Sequence, residues 1–422
     1  MTDSPQPALA RRIGTGDAVV VGLSAMIGAG IFSVWGPASA AAGDALLVAL
    51  GIAAVVALCN ATSSAQLASH HPASGGTYVF GNRVLGPWWG FTAGWGFVIG
   101  KTASCAAMAL TFAAYVVPGQ PMVQRVVGAA AVAALTLAAV RGITRTAQVA
   151  RVLLVIALLG LVALLVATSV TAVPAATSLT PPTGLYGILQ GAGLLFFAFA
   201  GYARIATLAE EVRTPAAIGR AVLIALAGVL VLYGLVAVAL LGTLGGALPQ
   251  STAPLADLAA MLPVPGLAPA VRVAAAAAAL GALLALLSGV SRTTLAMARE
   301  GDLPRSLAAV EPRHQVPARA QLLLGLVVVV IVLATDLRGA IGFSSFGVLV
   351  YYAVTNLAAL RQPREQRRWP RPMQVLGVIG CLAVAVSLPP AAVLAGAAVL
   401  LLGAGYRLLR TRRSPEPGRT SR

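Results

Sequence analysis

Apolar runs of about 20 residues follow one another along nearly the whole of this 422-residue chain. A helix of that length crosses the roughly 30 Å of a bilayer's hydrocarbon. Within lipid only helices and closed barrels satisfy every backbone N–H and C=O. About twelve runs can be marked, at 17–41, 45–69, 88–117, 123–141, 147–170, 184–209, 216–244, 269–298, 319–335, 338–360, 372–388 and 391–408. Residues are 59% hydrophobic and 10% charged, against about a quarter charged in soluble domains. Soluble domains are therefore excluded, and so is disorder, which needs low hydrophobicity and high charge. The expectation is an all-α, multi-pass membrane protein.

The net charge of +17 comes from 29 basic residues, of which only Lys101 is a lysine. The arginines sit in short connectors between apolar runs, not on one soluble face. Alternate connectors carry them: NRVLGP, RGITRTAQVAR, EEVRTPAAIGR, the stretch ending in EPRHQVPARA, and RQPREQRRWPRP. The intervening ones are poor in arginine, with Arg272 and Arg338 as exceptions. Such a bias marks the cytoplasmic side and predicts both termini inside, in the cytoplasmic membrane. Arg11-Arg12 is read as a basic anchor and not as an export signal, because no small-residue cleavage site follows. No nucleic-acid role is read from the charge. Cys59, Cys105 and Cys381 lie inside apolar runs and give no disulfide framework or metal spacing. Mixed apolar and charged positions between Arg299 and Arg319 suggest a short interfacial helix.

Two runs are interrupted. The first, VVVGLSAMIGAGIFSVWGPASAAAG, has glycines near its middle, and the sixth, LYGILQGAGLLFFAFAGYARIATLAEE, has Gly201 two-thirds along. Glycine weakens a helix interior by about 1 kcal/mol relative to alanine. Irregular backbone at membrane depth survives only where it lines a cavity or is buried in protein. If both runs unwind, each offers a half-helix N-terminus, which attracts a carboxylate, and free carbonyls, which attract an ammonium. A zwitterionic amino acid fits both. The alternative is that these glycines serve packing alone, as Gly90-x-x-x-Gly94 and Gly96-x-x-x-Gly100 do in the third run. The breaks stand five runs apart, the spacing of an inverted five-plus-five repeat.

Four stretches resemble the amino acid–polyamine–organocation permeases: IGAGIF with GPASAAAG (from Ile27), HHPASGGTYVF with GPWWGFTAGW (from His70), FFAFAGYARIATLAEEVRTP (Phe196–Pro215) and SRTTLAMAREGDLP (Ser291–Pro304). They occur in family order and cover nearly the whole chain. The resemblance implies a leucine-transporter-like, ten-helix inverted-repeat core over 17–360 with helices 1 and 6 broken. A cytoplasmic N-terminus (1–16) precedes it. A cytoplasmic connector (361–371), two further transmembrane helices (372–408) and a basic cytoplasmic tail (409–422) complete the chain. It implies that backbone amides of Gly28, Ala29 and Gly30, next to Ile27, hold a substrate carboxylate. Carbonyls near Met26, Phe197 and Ala200 would hold its ammonium, and Phe197 or Phe199 would gate the site. Three positions depart from the pattern: Gln66 where relatives often have glutamate, Ala157 near where proton-coupled relatives often have lysine, and Arg204 in place of a small residue.

Lys101 lies about 13 residues into the third run, roughly 20 Å along a helix and too deep to snorkel easily. It can take up and release a proton as a cavity opens and closes, or it can be structural and bound to carbonyls. Arg204 is read as an inner gate or a link to the connector, and Glu210 and Glu211 as a latch at the inner interface. Adjacent helical carboxylates point about 100° apart and do not form a catalytic pair. GWGFVIGKT lacks the glycine spacing of a phosphate loop, and no hydrolase or metal motif is found. The expected function is secondary transport, not enzymatic chemistry, with no cofactor, metal or obligate protein partner. A neutral amino acid with proton symport is expected first. The alternatives are exchange, an anionic amino acid, or an amine.

Overall fold

The structure is a computed structural model that describes residues 14–70, 76–141, 146–171, 184–202 and 215–413. Among the described residues the secondary structure is helical apart from one isolated bridge, Glu311 with Val316. Eight helices are long and apolar enough to cross a membrane, and three shorter apolar helices accompany them. The first apolar run is three helical pieces: α1 (Thr15–Met26), α2 (Ala29–Ser33) and α3 (Trp35–Ala42). Gly43, at φ +53°, turns the chain into α4 (Leu46–His70). There follow α5 (Thr77–Val84), α6 (Pro87–Val116), α7 (Pro121–Val140), α8 (Thr146–Val170), α9 (Gly184–Phe199) and α10 (Pro215–Thr243). The rest are α11 (Pro254–Met261), α12 (Leu267–Arg299), α13 (Ala318–Ala334), α14 (Leu337–Arg361), α15 (Arg371–Val386) and α16 (Pro390–Arg413).

Helix starts follow local chemistry. Pro87, Pro121 and Pro254 occupy first turns, where a missing N–H costs no hydrogen bond. Asp336 caps α14 by accepting from the Gly339 amide at 2.8 Å. The connector from residue 300 to 317 corrects one expectation. Gly301 at φ +80° ends α12, and Pro304 leads only into a 3-10 turn, Arg305–Ala308, so no interfacial helix forms there.

The bundle centre is built on small residues. α6 lies against α12 and α14, and 78% of the most apolar stretch of both α6 and α14 is buried, against 17% for α16. A Cβ on Gly96 would come within 3.0 Å of the Gly347 carbonyl, and one on Gly100 within 3.0 Å of the Ser344 carbonyl. The two backbones therefore touch, as the Gly-x-x-x-Gly spacing predicts. Ser104 and Ser344 hydroxyls seal the contact at 2.6 Å. Outward, Val152, Leu159 and Val162 of α8 and Leu401 and Leu402 of α16 are exposed. An apolar rim of this extent needs lipid around it.

α9 packs against α3 and α4, and α1 packs against α10. This brings the interrupted first run beside the end of α9, where the candidate site lies.

Candidate functional site

The first run unwinds where its glycines predict. α1 ends at Met26, Ile27 leaves helical geometry at ψ 57°, and Gly28 is extended at φ −107°, ψ −148°. Helix resumes at Ala29. Hydrogen bonds from Val34 N to Gly30 O (3.1 Å) and from Ala38 N to Val34 O (3.0 Å) carry it through to α3. α9 ends at Phe199, and Ala200, Gly201 and Tyr202 form a turn, with the Tyr202 amide on the Phe199 carbonyl at 3.4 Å.

The two breaks face each other. A Cβ on Gly30 would lie 2.7 Å from Ala198 Cα, and one on Gly201 would overlap the Ala25 carbonyl. A Cβ on Gly28 would meet the Ala282 methyl of α12 at 3.2 Å. The glycines thus do two things at once: they free the backbone and they let the breaks meet without side chains between them. Met26, Ile27, Ala29, Gly30, Phe197, Phe199 and Ala200 are all buried.

Two side chains donate to the exposed carbonyls. The Tyr233 hydroxyl, from mid-α10, lies 2.8 Å from Met26 O and 3.0 Å from Ala198 O. Lys101 Nζ, from α6, donates to Ala200 O at 3.3 Å. Among the described residues the ion pairs are His314–Glu311 and Arg407–Asp302, so Lys101 has no carboxylate partner there. Two of the three carbonyls assigned from the resemblance to the substrate's ammonium, those of Met26 and Ala200, therefore carry a protein donor in this structure. Aromatic rings fix the Tyr233 hydroxyl: Trp35 and Phe199 stand edge-on to its ring at 6.1 and 5.0 Å. Phe199 is fully buried against Tyr233, whereas Phe197 retains 7% exposure. On the other side of α2, the Tyr115 hydroxyl donates to Phe32 O at 2.8 Å and accepts from Leu255 N at 3.3 Å, tying α2 to α6 and α11.

Sequence reading missed Tyr233 and Tyr115. A signal for both existed: a lone tyrosine inside an apolar run must find a partner for its hydroxyl. Gln66 proves to be a link to the 361–371 connector, donating to Gln362 Oε1 at 2.8 Å and accepting from the Arg368 amide at 3.1 Å. Ser288 and Ser291 bond to carbonyls of their own helix, Leu284 and Ser288. Arg204, Glu210 and Glu211 lie outside the described residues.

At the α12 end remote from the breaks, outside the spans, the Asp302 carboxylate accepts from the Tyr78 hydroxyl at 2.8 Å and from Arg407 at 2.5 Å. Burial pushes the Asp302 carboxyl above the ordinary aspartate value, against the pull of Tyr78, Arg407 and Arg410. Burial, and then Asp302 itself, pushes the Tyr78 phenol up.

Comparison with known proteins agrees with this architecture. The family model described as amino acid permease matches residues 13–402. An uncharacterized transporter of Mycobacterium tuberculosis is 53% identical over 413 residues, covering 96% of this chain and 93% of that protein. A branched-chain amino acid permease of Bacillus subtilis is 25% identical over 400 residues, 89% of this chain and 86% of that one. The vacuolar cationic amino acid transporter 4 of Arabidopsis thaliana is 26% identical over 382 residues, 83% and 63%. A multi-pass helical chain with two apposed breaks, matched by that model over nearly its whole length, belongs to the amino acid permease family of the amino acid–polyamine–organocation superfamily.

Proposed function

We propose that this transporter moves a neutral amino acid across the cytoplasmic membrane by alternating access, coupled to protons. The observation that carries the reading is the meeting of two half-helix ends at one point, Met26–Gly30 with Ala198–Gly201. The amides of Gly28, Ala29 and Gly30 open a helix that continues to Ala42, and an N-terminus of that kind holds a carboxylate. The carbonyls of Met26, Phe197 and Ala200 hold the ammonium, with Phe197 or Phe199 as the cover. The domain limits follow the same reading: a ten-helix inverted-repeat core over 17–360, a connector, two further helices to 408, and both termini cytoplasmic, twelve spans in all. Arg204, Glu210 and Glu211 belong to the inner gate.

The choice of a neutral substrate rests on Lys101, buried beside the break without a described carboxylate. A cationic side chain there would face a like charge in low dielectric, a repulsion of several kcal/mol. The branched-chain relative agrees with this choice, and the cationic relative names its competitor. For coupling, Lys101 on Ala200 O holds the sixth-run break when protonated and releases it when neutral. A cation already at mid-membrane disfavours a sodium ion beside it, since two like charges in low dielectric repel by several kcal/mol, which favours protons over sodium.

The test is uptake into proteoliposomes with and without an imposed pH gradient, for the parent, Lys101→Ala and Lys101→Gln. The reading expects gradient-driven uptake in the parent and its loss, or the loss of its pH dependence, in both variants. Gradient-driven uptake by Lys101→Ala equal to the parent from about pH 5 to 8 would make the lysine structural. Uptake only in exchange for an internal amino acid would favour the antiport alternative.

A further inference from the structure

A carbonyl at a helix C-terminus has no next-turn amide and needs another donor. The first run offers such a carbonyl at Met26 and the sixth at Ala198, on helices that are distant in sequence. One atom reaches both: the Tyr233 hydroxyl, at 2.8 and 3.0 Å. The residue is fully buried, and its ring is set by Trp35 from α3 and Phe199 from α9. A phenol carries a single proton, so the two carbonyls share one donor. Each carbonyl oxygen has two lone pairs, so sharing one proton leaves acceptor capacity on both.

We infer that Tyr233 is a positioning residue that clasps the two broken helices through one shared hydrogen and leaves acceptor capacity on their carbonyls for an incoming ammonium group. This deepens, and rests on, the reading of the breaks as an amino acid site. The division of labour follows from the chemistry. Lys101 brings a full charge to Ala200 O, and a second cation side chain beside it would be repelled. A neutral donor holds the breaks together without adding charge and yields readily to an ammonium, whose charge-assisted hydrogen bonds are roughly twice as strong. The clasp also couples motion. α10 cannot shift relative to α1 or α9 without breaking one arm of the hydrogen bond, so separation of the breaks passes through Tyr233.

The test is hydrogen exchange on the purified full-length protein, comparing the parent with Tyr233→Phe. Phenylalanine keeps the ring packing and removes only the hydroxyl. The expected result is exchange faster by about threefold to tenfold at the amides of 27–30 and of 199–202, the range for one buried hydrogen bond, with other helices unchanged. A variant removing a ring contact instead, Phe199→Leu, does not accelerate both breaks together. If Tyr233→Phe does not survive purification, Tyr233→His, which keeps a ring N–H at shorter reach, takes its place, with an intermediate effect expected. Unchanged exchange at either break would overturn the clasp. A parallel thermal-shift titration compares L-leucine with 4-methylpentanoate, the same molecule without its ammonium. Tyr233→Phe alters the response to leucine and leaves that to the acid as it was. An equal change for both would make the hydroxyl purely structural and overturn its role at the ammonium site. A parent that binds no amino acid but shows the exchange effect in Tyr233→Phe retains the clasp and loses the transport reading, so the two failures are separable.

Discussion

Gly28 and Gly30 differ in what they face, and their substitutions should differ accordingly. A methyl on Gly30 meets the Ala198 backbone at 2.7 Å. Backbone cannot swing aside, so Gly30→Ala is expected to pry the breaks apart and lower transport by more than about tenfold, a shift exceeding 1.4 kcal/mol. A methyl on Gly28 meets only the Ala282 methyl closely, at 3.2 Å. Gly28→Ala should therefore be milder, and Gly28→Ala combined with Ala282→Gly should recover most of the parent rate, as expected of neighbours that couple directly. Initial uptake rates normalised to folded protein check both. The glycines were legible as a break because Gly28 and Gly30 stand together in the middle of an apolar run, where each weakens a helix. Their partners were not, because Ala198 and Ala282 are ordinary span residues until the helices are assembled. Tyr233 was hidden for the same reason: its run is otherwise unremarkably apolar, and only the fold shows which carbonyls its hydroxyl reaches.

Among the elements, α16 shows how a peripheral helix is held. Only 17% of its most apolar stretch is buried, yet Trp95 Nε1 of α6 donates to its Val399 carbonyl at 2.9 Å. Arg407 binds Asp302 and stacks over Trp88 and Phe91 at 5.2 and 4.8 Å, and Arg410 donates to Leu303 O at 2.5 Å. Asp302 and Arg407 side chains are 13% and 12% exposed. Removing the carboxylate in Asp302→Ala should cost about 1.5–3 kcal/mol, the range for a hydrogen bond to a charged group, read as a lower melting temperature in detergent. Burial raises the Asp302 pKa in the fold. The folded state therefore holds that proton more tightly than the unfolded one: this group's contribution is fully present below the ordinary aspartate value, is lost as pH rises from there through the raised value, and changes no further above it. Asp302→Asn, which resembles the protonated form, should accordingly be tolerated better than Asp302→Ala. Apolar stretches placed the long helices to within a few residues, as at Leu337–Arg361 against the expected 338–360. The connector after α12 was misjudged, because Gly301 and the prolines outweigh its amphipathic pattern.

At the scale of the whole molecule, the chain divides into a buried centre of glycine-to-backbone contacts and a rim of exposed apolar side chains. Composition alone pointed to the rim, since 59% hydrophobic residues leave no soluble surface. The centre depended on the pairing of α6 with α14 and of α9 with the first run, which no local pattern specifies. The apposed breaks are proposed as an amino acid site. A thermal-shift titration of the purified protein with each of the twenty amino acids, repeated on Gly30→Ala, tests this most directly. A ligand at a hundredfold excess over its Kd stabilises the folded state by about 2.7 kcal/mol. At least one neutral amino acid is expected to raise the melting temperature of the parent, and none that of Gly30→Ala. No shift of the parent by any amino acid, or an equal shift of Gly30→Ala by the same one, would contradict the site.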